Sequence, residues 1–249
     1  MIEIKTEEEI KSIRLACRAV AATLLEVKEK LKAGMSTLDI DRLAASTLEK
    51  LKAKPAFLGY RGYPATACVS VNEEVIHGIP SARKIIKEGD IVSVDMGAIV
   101  NGFYGDAAVT VAVGAISSGE KVLLEITEKA LYEGLKFARS GARLGDISSA
   151  VEKTASSAGL GVVREFTGHG IGRRLHEEPS IPNYGIPGTG PMLRTGMTLA
   201  IEPMLCMGSE EVKFLKDGWT VVTADSSKSA HFEHTVLVKE GECEILTRL

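Results

Sequence analysis

The sequence predicts an α+β (α/β) fold in which two similar halves share a central antiparallel sheet flanked by two helix pairs. Two amphipathic helix patterns open each half, and a glycine-rich, strand-prone region follows each pair. Matching residues also recur at a fixed offset of 107 positions, which aligns Asp95 with Glu202 and the Gly-Ile-Pro at 78–80 with that at 185–187. One fixed shift indicates a duplicated unit with a pseudo-two-fold axis, whereas a solenoid repeat recurs several times at shorter spacing.

The helix pairs are the clearest local prediction. Thr6 starts a capping box, and apolar residues over 10–31 then recur at spacings of three and four, which is typical of an amphipathic helix. Gly34 should end this helix, and Ser36 or Thr37 can cap a second one. The second half repeats this order with a helix over 118–138, a break at Gly141 and a helix over 147–158.

The strand-prone regions contain two predicted hairpins. Asn101-Gly102 is a strong signal for a two-residue turn. If that turn sets the register, Asp95 and Asp106 lie diagonally across the two strands on the same face of the sheet. A second hairpin is expected between residues 219–223 and 231–238.

Composition and charge exclude several classes of protein. Of the 249 residues, 45% are hydrophobic and 25% are charged, and no apolar run approaches the roughly 20 residues of a membrane span. The net charge of -3 predicts no affinity for nucleic acid or membranes. The N-terminus lacks the pattern of a secretory signal, so we expect a cytoplasmic location. Because no low-complexity linker divides the chain, we expect a single domain over 1–249 with halves at about 6–113 and 118–240.

Four carboxylates and one imidazole form a candidate metal site. If they converge, the acids raise each other's pKa unless cations neutralise them. Such a ligand set suits Mn, Fe, Co or Zn, and five ligands exceed what one ion with an open position needs. A carboxylate-bridged pair of ions about 3.5 Å apart fits better. The candidates are Asp95, Asp106, His169, Glu202 and Glu233.

Each candidate also has an ordinary interpretation. Asp95 and Asp106 could be turn aspartates that hydrogen-bond their own backbone, and Glu233 could pair with a neighbouring histidine. Glu202 fits this explanation less well, because glutamate is seldom buried unpaired. The glycine-rich segment 168–172 could be a phosphate loop, but it lacks the Lys-Ser/Thr that follows such a loop. However, Asp95 and Glu202 are equivalent positions of the two halves, and Asp106 and Glu233 lie on strands of the predicted hairpins. The ordinary interpretations would require this arrangement of four acids to arise by chance, so the joint pattern favours a metal site.

Seven short motifs follow one another along the chain. They are ATACVSVN at 65–72, HGIP at 77–80, Asp95 with GFYGD at 102–106, GHGIG at 168–172, HEEP at 176–179, IEP at 201–203 and FEHT at 232–235. Together they resemble the type I methionine aminopeptidases over essentially the whole chain. The resemblance implies the pita-bread fold, whose pseudo-two-fold symmetry agrees with the duplicated halves. It also implies two divalent ions, with Co, Mn, Fe or Zn as the choices.

The resemblance implies a role for each candidate residue. Asp95 would chelate one ion, Asp106 and Glu233 would bridge both ions, and His169 with Glu202 would complete the other site. Glu202 would also shuttle the proton of the attacking water. His77 would contact the scissile amide and assist the leaving amine, while His176 would hold the carbonyl oxygen.

An apolar pocket for methionine is also implied. Its walls would be Phe57, Tyr60, Tyr63, Cys68 and Trp219, although ordinary core packing is the usual role of aromatic residues. Two departures put its shape in question: Leu175 replaces a common Phe, and Phe57 replaces a small residue found in some members. The substrates would be peptides and nascent chains with an N-terminal methionine and a small second residue. A monomer, and contact with the ribosome, are further expectations.

Two other functions stay open at this level. Aminopeptidase P or prolidase relatives share the metal ligands but cleave before proline, and they usually carry a substantial N-terminal domain. A catalytically inactive relative would bind proteins or RNA, and such modules typically lose ligands. Only 30 residues separate Glu202 from Glu233, which leaves no room for the helical insertion of type II enzymes. The four cysteines have no paired spacing, so we expect reduced thiols.

Overall fold

Four α-helices and fifteen strands make up the computed structural model of this chain, which describes residues 2–248. The helices are α1 (Glu7–Lys30), α2 (Thr37–Lys50), α3 (Ser118–Leu135) and α4 (Leu144–Ser157). The strands are β1 (Lys54–Pro55), β2 (Ala67–Val71), β3 (Glu74–Ile76), β4 (Ile91–Val100), β5 (Phe103–Ala112), β6 (Gly161–Val162), β7 (Thr167–Gly170), β8 (Glu177–Pro182), β9 (Thr198–Ile201), β10 (Met204–Cys206), β11 (Val212–Phe214), β12 (Val221–Thr223), β13 (Ser229–His231), β14 (Glu233–Leu237) and β15 (Glu244–Ile245).

The helix pairs confirm the predicted duplication of elements. The side chains of Thr6 and Ser36 cap α1 and α2 as expected. Helix α4 coincides with α2 at both ends when the chain is shifted by 107 residues. It begins three residues before the predicted start, because the Asp146 carboxylate accepts a hydrogen bond from the Arg143 backbone N–H at 2.8 Å and so stabilises an earlier first turn. Helix α3 ends at Leu135, three residues before the predicted end.

One antiparallel sheet runs through both halves. Its strands follow the order β1-β4-β5-β14-β9-β7-β8, with β2 paired to β4 and β15 paired to β14. Two three-stranded sheets, β13-β10-β6 and β11-β12-β3, lie beside it. The β4–β5 hairpin has the predicted register, since Asp95 lies opposite Ala108 and Asp106 lies opposite Gly97. The two aspartates are therefore diagonal neighbours, as expected.

The second predicted hairpin is wrong. Strand β12 does not pair with β14; it pairs with β11 and β3 in a separate sheet. Both edges of β14 are already hydrogen-bonded, to β5 and β15 on one side and to β9 on the other. No free edge of β14 remains for residues 219–223, and their backbone groups find partners elsewhere.

The helices cover one face of the large sheet and leave the other face for polar groups. Val92, Val94 and Met96 of β4 are buried with residues of α1 and α2. Because side chains alternate along a strand, Asp95 faces the opposite side. In the second half, Leu199 and Ile201 of β9 are buried with residues of α3 and α4. The helices thus provide the apolar core, and the acids gather on the uncovered face.

The structure also shows the length of the helices and the state of the cysteines. Within residues 2–248, no helix is long and apolar enough to cross a membrane. All four cysteines are free thiols, as expected, and three of them are buried.

A buried ion pair fixes the N-terminal segment to the loop that carries His176. The Lys5 Nζ lies 2.5 Å from Glu177 Oε2, and the two side chains are only 2% and 4% exposed. The Lys5 backbone N–H also donates to the Gly196 carbonyl at 2.9 Å. Glu177 accepts a further hydrogen bond from the Arg174 N–H at 3.0 Å. This pair ties together parts of the chain that are 172 residues apart.

We expect Lys5→Met to destabilise the fold strongly. The substitution leaves the Glu177 carboxylate buried without its cation, and breaking a buried ion pair in this way costs about 3–5 kcal/mol. Urea unfolding measures the loss. The control is Lys11→Met, which removes an exposed ion pair with Glu8 and should leave the unfolding midpoint unchanged. Equal midpoints for the two variants would contradict this account.

Candidate metal centre and adjoining pocket

The five predicted metal ligands converge on the uncovered face of the sheet. Four lie within neighbouring strands or begin one, and Glu202 directly follows β9. Because β5, β14, β9 and β7 are consecutive in the sheet, residues far apart in sequence meet at one place. The ligands and their strands are Asp95 in β4, Asp106 in β5, His169 in β7, Glu202 after β9 and Glu233 in β14.

The distances are those of a compact ligand cluster. One ligand atom each from Asp106, His169 and Glu233 all lie within 4.8 Å of one another. The His169 Nε2 lies 3.5 Å from Glu202 Oε1 and 4.0 Å from Asp106 Oδ2. The His169 Nδ1 is 2.9 Å from the Gly170 carbonyl. A proton on Nδ1 satisfies that carbonyl and leaves the Nε2 lone pair facing the carboxylates, which is the tautomer a metal-binding histidine needs.

Burial makes this cluster electrostatically unfavourable by itself. It raises the pKa of Asp95 to about 7. The pKa values of Asp106, Glu202 and Glu233 rise well above their usual range, first through burial and then through the neighbouring acids. Burial also lowers the pKa of His169 to about 3. Three carboxylate oxygens, one each on Asp95, Asp106 and Glu233, are buried without a hydrogen-bond partner. Orphaned carboxylate oxygens in one buried cluster fit a site for divalent cations.

The glycines around His169 have a packing role. A Cβ atom on Gly168 would lie 2.4 Å from the Ala200 carbonyl oxygen, and one on Gly170 would lie 2.1 Å from the Glu178 carbonyl oxygen. Neither position can accept a side chain, because strand β7 lies between the backbones of β8 and β9. The Gly-His-Gly sequence therefore places the imidazole between two strands, and the phosphate-loop interpretation is not needed.

His77 lies in a strained backbone position beside the cluster. Its φ is +59°, a conformation that residues other than glycine rarely adopt. Its ring packs edge-on against Phe166, with 5.8 Å between centroids, and against Trp219, at 6.1 Å. Burial lowers its pKa to about 4, so the imidazole is neutral near pH 7. Strain of this kind is often found at functional sites.

His176 lies next to the ligand His169. Its ring centroid lies 4.3 Å from that of His169, and its Nδ1 lies 2.8 Å from the Tyr60 hydroxyl. If the hydroxyl donates to Nδ1, the proton of the neutral ring stays on Nε2. Burial and then the nearby Arg61 lower the pKa of His176, which favours this neutral form.

A cavity of about 270 Å³ opens onto the carboxylates. All five predicted pocket residues line it, and Leu175 and Phe166 contribute further apolar walls. Phe57, Tyr63 and Cys68 are each less than 10% exposed, so the inner end of the cavity is closed. The Tyr63 ring packs edge-on against Trp219 with 5.1 Å between centroids.

Sequence reasoning missed three residues of this site. Phe166 and Arg61 line the cavity, but neither falls in one of the seven motifs. His231 is buried, both its ring nitrogens lack a partner, and its Nε2 lies 3.7 Å from Glu202 Oε2. The sequence suggested His231 only as a neighbour of Glu233. Its position beside Glu202 depends on the pairing of β13 with β10, which no local pattern indicates.

Comparison with known proteins agrees with this geometry. Residues 11–240 match metallopeptidase family M24. Methionine aminopeptidase 1 of Bacillus subtilis is 50% identical over 249 residues, which is the whole of both chains. The crystal structure of a methionine aminopeptidase from Thermotoga maritima matches with a TM-score of 0.99 and 51% identity over all of both chains. A prolidase from Pyrococcus furiosus shares the fold, with a TM-score of 0.81, but at 24% identity and over 99% of this chain and 65% of that one.

These matches confirm the pita-bread fold and the family resemblance that the seven motifs predicted. The match to the prolidase is a likeness of fold only. By its sequence and its structure, the chain belongs to metallopeptidase family M24.

Proposed function

We propose that this protein is a metal-dependent aminopeptidase that releases the N-terminal methionine from peptides. The observation that carries the proposal is the closed apolar cavity that opens directly onto the carboxylate cluster. A methionine side chain can fill such a cavity, and its unbranched thioether adapts to an irregular apolar wall. Because buried residues close the inner end, the end of a chain can enter but an internal segment cannot pass through.

The same cluster supports a site for two divalent ions. We infer that Asp95 would help to hold one ion, that His169 and Glu202 would help to hold the other, and that Asp106 and Glu233 would contribute to both. Five ligands and three orphaned carboxylate oxygens are more than a single ion with an open position requires. When bound, the ions supply Lewis acidity, which makes water more acidic and polarises the peptide carbonyl. Co, Mn, Fe and Zn are all compatible with this donor set.

The remaining catalytic tasks fall to three side chains. Glu202, whose carboxylate is 13% exposed, is open to the cavity and accepts the proton of the attacking water. His176, with its proton on Nε2, donates a hydrogen bond to the substrate carbonyl oxygen, where negative charge develops. His77 contacts the scissile amide and assists departure of the amine. The ligands come from both sequence halves, which supports one catalytic unit over the chain.

Cleavage before proline is the less favoured alternative. The similarity to the prolidase is one of fold only, whereas a methionine aminopeptidase matches over the whole chain at 50% sequence identity. An apolar pocket distinguishes side chains by roughly 1–3 kcal/mol per methylene, so residues similar to methionine should be cleaved slowly. A small second residue, a monomeric state and contact with the ribosome stay predictions from the sequence.

Metal-loaded protein should release methionine from Met-Ala peptides much faster than it cleaves an Ala-Pro peptide. Chelation with EDTA should abolish the activity because it removes the ions that supply Lewis acidity, and added Mn²⁺ or Co²⁺ should restore it. Chromatographic measurement of free methionine tests this. Failure to release methionine with any divalent metal would contradict the proposed function.

The His77→Asn variant should lose at least about a hundredfold in kcat, the usual scale for a proton-transfer group. Asparagine tolerates the left-handed backbone conformation of residue 77, so thermal stability should be unchanged. Metal affinity, measured by calorimetry, should also be unchanged because His77 is not a ligand. Glu202→Gln serves as the contrast, since it should weaken both turnover and metal binding. Near-normal turnover of His77→Asn would refute its role.

The metal-free protein should show a pH-dependent penalty from the acid cluster. The pKa of Asp95 is about 7 in the fold but about 3.9 when unfolded. The folded state therefore binds this proton more tightly, and stability falls as pH rises from about 4 to about 7. In EDTA, Asp95→Asn should raise the melting temperature above wild type by several degrees at pH 8 and by much less at pH 5. A difference that does not grow with pH would contradict this.

A further inference from the structure

Phe214 is an exposed aromatic residue whose ring packs against a residue that lines the catalytic cavity. It lies at the end of β11 and is 62% exposed. Its ring packs against Phe166 with 6.0 Å between centroids, and the Phe166 ring packs against His77 at 5.8 Å. The rings of His77, Phe166 and Phe214 thus form a continuous row of contacts from the catalytic cavity to the protein surface.

Strand pairing fixes the position of this exposed ring. Phe214 is paired with Val221 of β12, and Val221 is paired with Ile76 of β3. Ile76 immediately precedes His77. The backbone of β11 at Phe214 is therefore two strand spacings, or about 10 Å, from the backbone of β3 beside His77. The hairpin is a fixed continuation of the cavity wall.

We propose that Phe214 forms an outer subsite that binds an apolar side chain at the third or fourth residue of the peptide. This inference rests on the proposed function, in which His77 contacts the scissile amide and so marks the side on which the remaining peptide leaves. An extended peptide advances about 3.3 Å per residue. Each step of about 6 Å between rings therefore spans just under two residues. Phe166 lies beside the second residue, and Phe214 comes within reach of the next two.

Another part of the cavity rim has a different chemistry. Tyr60 and His176 are joined there by a hydrogen bond, and beyond them lies a polar groove lined by Arg61, Arg174, Glu178 and Ser180. An apolar side chain gains little in that groove, whereas an exposed phenyl ring offers it a surface from which water is displaced. The two parts of the rim therefore predict different peptide preferences.

Peptide length and sequence test the subsite. The full-length, metal-loaded protein is assayed on Met-Ala, Met-Ala-Leu-Ser, Met-Ala-Ser-Leu and Met-Ala-Ser-Ser. We expect Phe214→Ala to reduce kcat/KM roughly three- to tenfold, the effect of one aromatic contact, on one or both leucine peptides. The reduction should arise in KM. Cleavage of Met-Ala should be unchanged, and Phe214→Tyr should retain the wild-type preference.

Matched controls separate this subsite from a general effect on the hairpin. Leu215→Ala changes an exposed neighbour that is 40% exposed and should leave all four peptides unaffected. Arg174→Ala tests the polar groove. The proposal is overturned if Phe214→Ala lowers cleavage of the dipeptide and the leucine peptides equally, if it has no effect, or if only Arg174→Ala gives a length-dependent loss. Absence of methionine release by the wild type would instead overturn the proposed function itself, and this inference with it.

Discussion

Four carboxylates crowded onto one face of the central sheet repel one another, and their repulsion shapes the architecture around them. Asp95, Asp106, Glu202 and Glu233 lie on one face of a sheet whose other face is apolar, and each has a raised pKa. A fold that relied only on its own contacts would place uncharged residues there. The cluster becomes favourable when divalent cations neutralise it, so metal binding and the stability of the central sheet are linked.

The architecture brings distant ligands together with little local distortion. Helices α1 to α4 bury the opposite face of the sheet, and strand alternation then directs the acids outward. The duplicated halves supply equivalent positions, Asp95 and Glu202, from β4 and the end of β9. Beside the ligands, His77 adopts a left-handed backbone conformation, and the glycines around His169 allow the neighbouring strands to approach closely.

Local patterns predicted the parts of the fold that local interactions determine. Helix capping and a two-residue turn act over a few residues, so the sequence could locate the caps of α1 and α2 and the turn at Asn101-Gly102. That turn sets the strand register, and the register makes Asp95 and Asp106 diagonal neighbours. The strands that pair with β12 depend on which strand edges are still free in the folded chain. A local sequence pattern does not indicate which edges are free. Phe166, His231 and Phe214 were missed for the same reason, because packing between distant strands places them. The roles of the site residues came from the motifs, since spacing alone left ordinary explanations open.

The proposed function depends on a site for two divalent ions at the converging carboxylates. Electron paramagnetic resonance of the protein saturated with Mn²⁺ tests it most directly, because two Mn²⁺ ions that share a carboxylate bridge are magnetically coupled. We predict the spectrum of a spin-coupled pair at saturation, which reverts to that of isolated ions when Asp95 is replaced by Asn. A wild-type spectrum of isolated, uncoupled ions at saturating Mn²⁺ would contradict it.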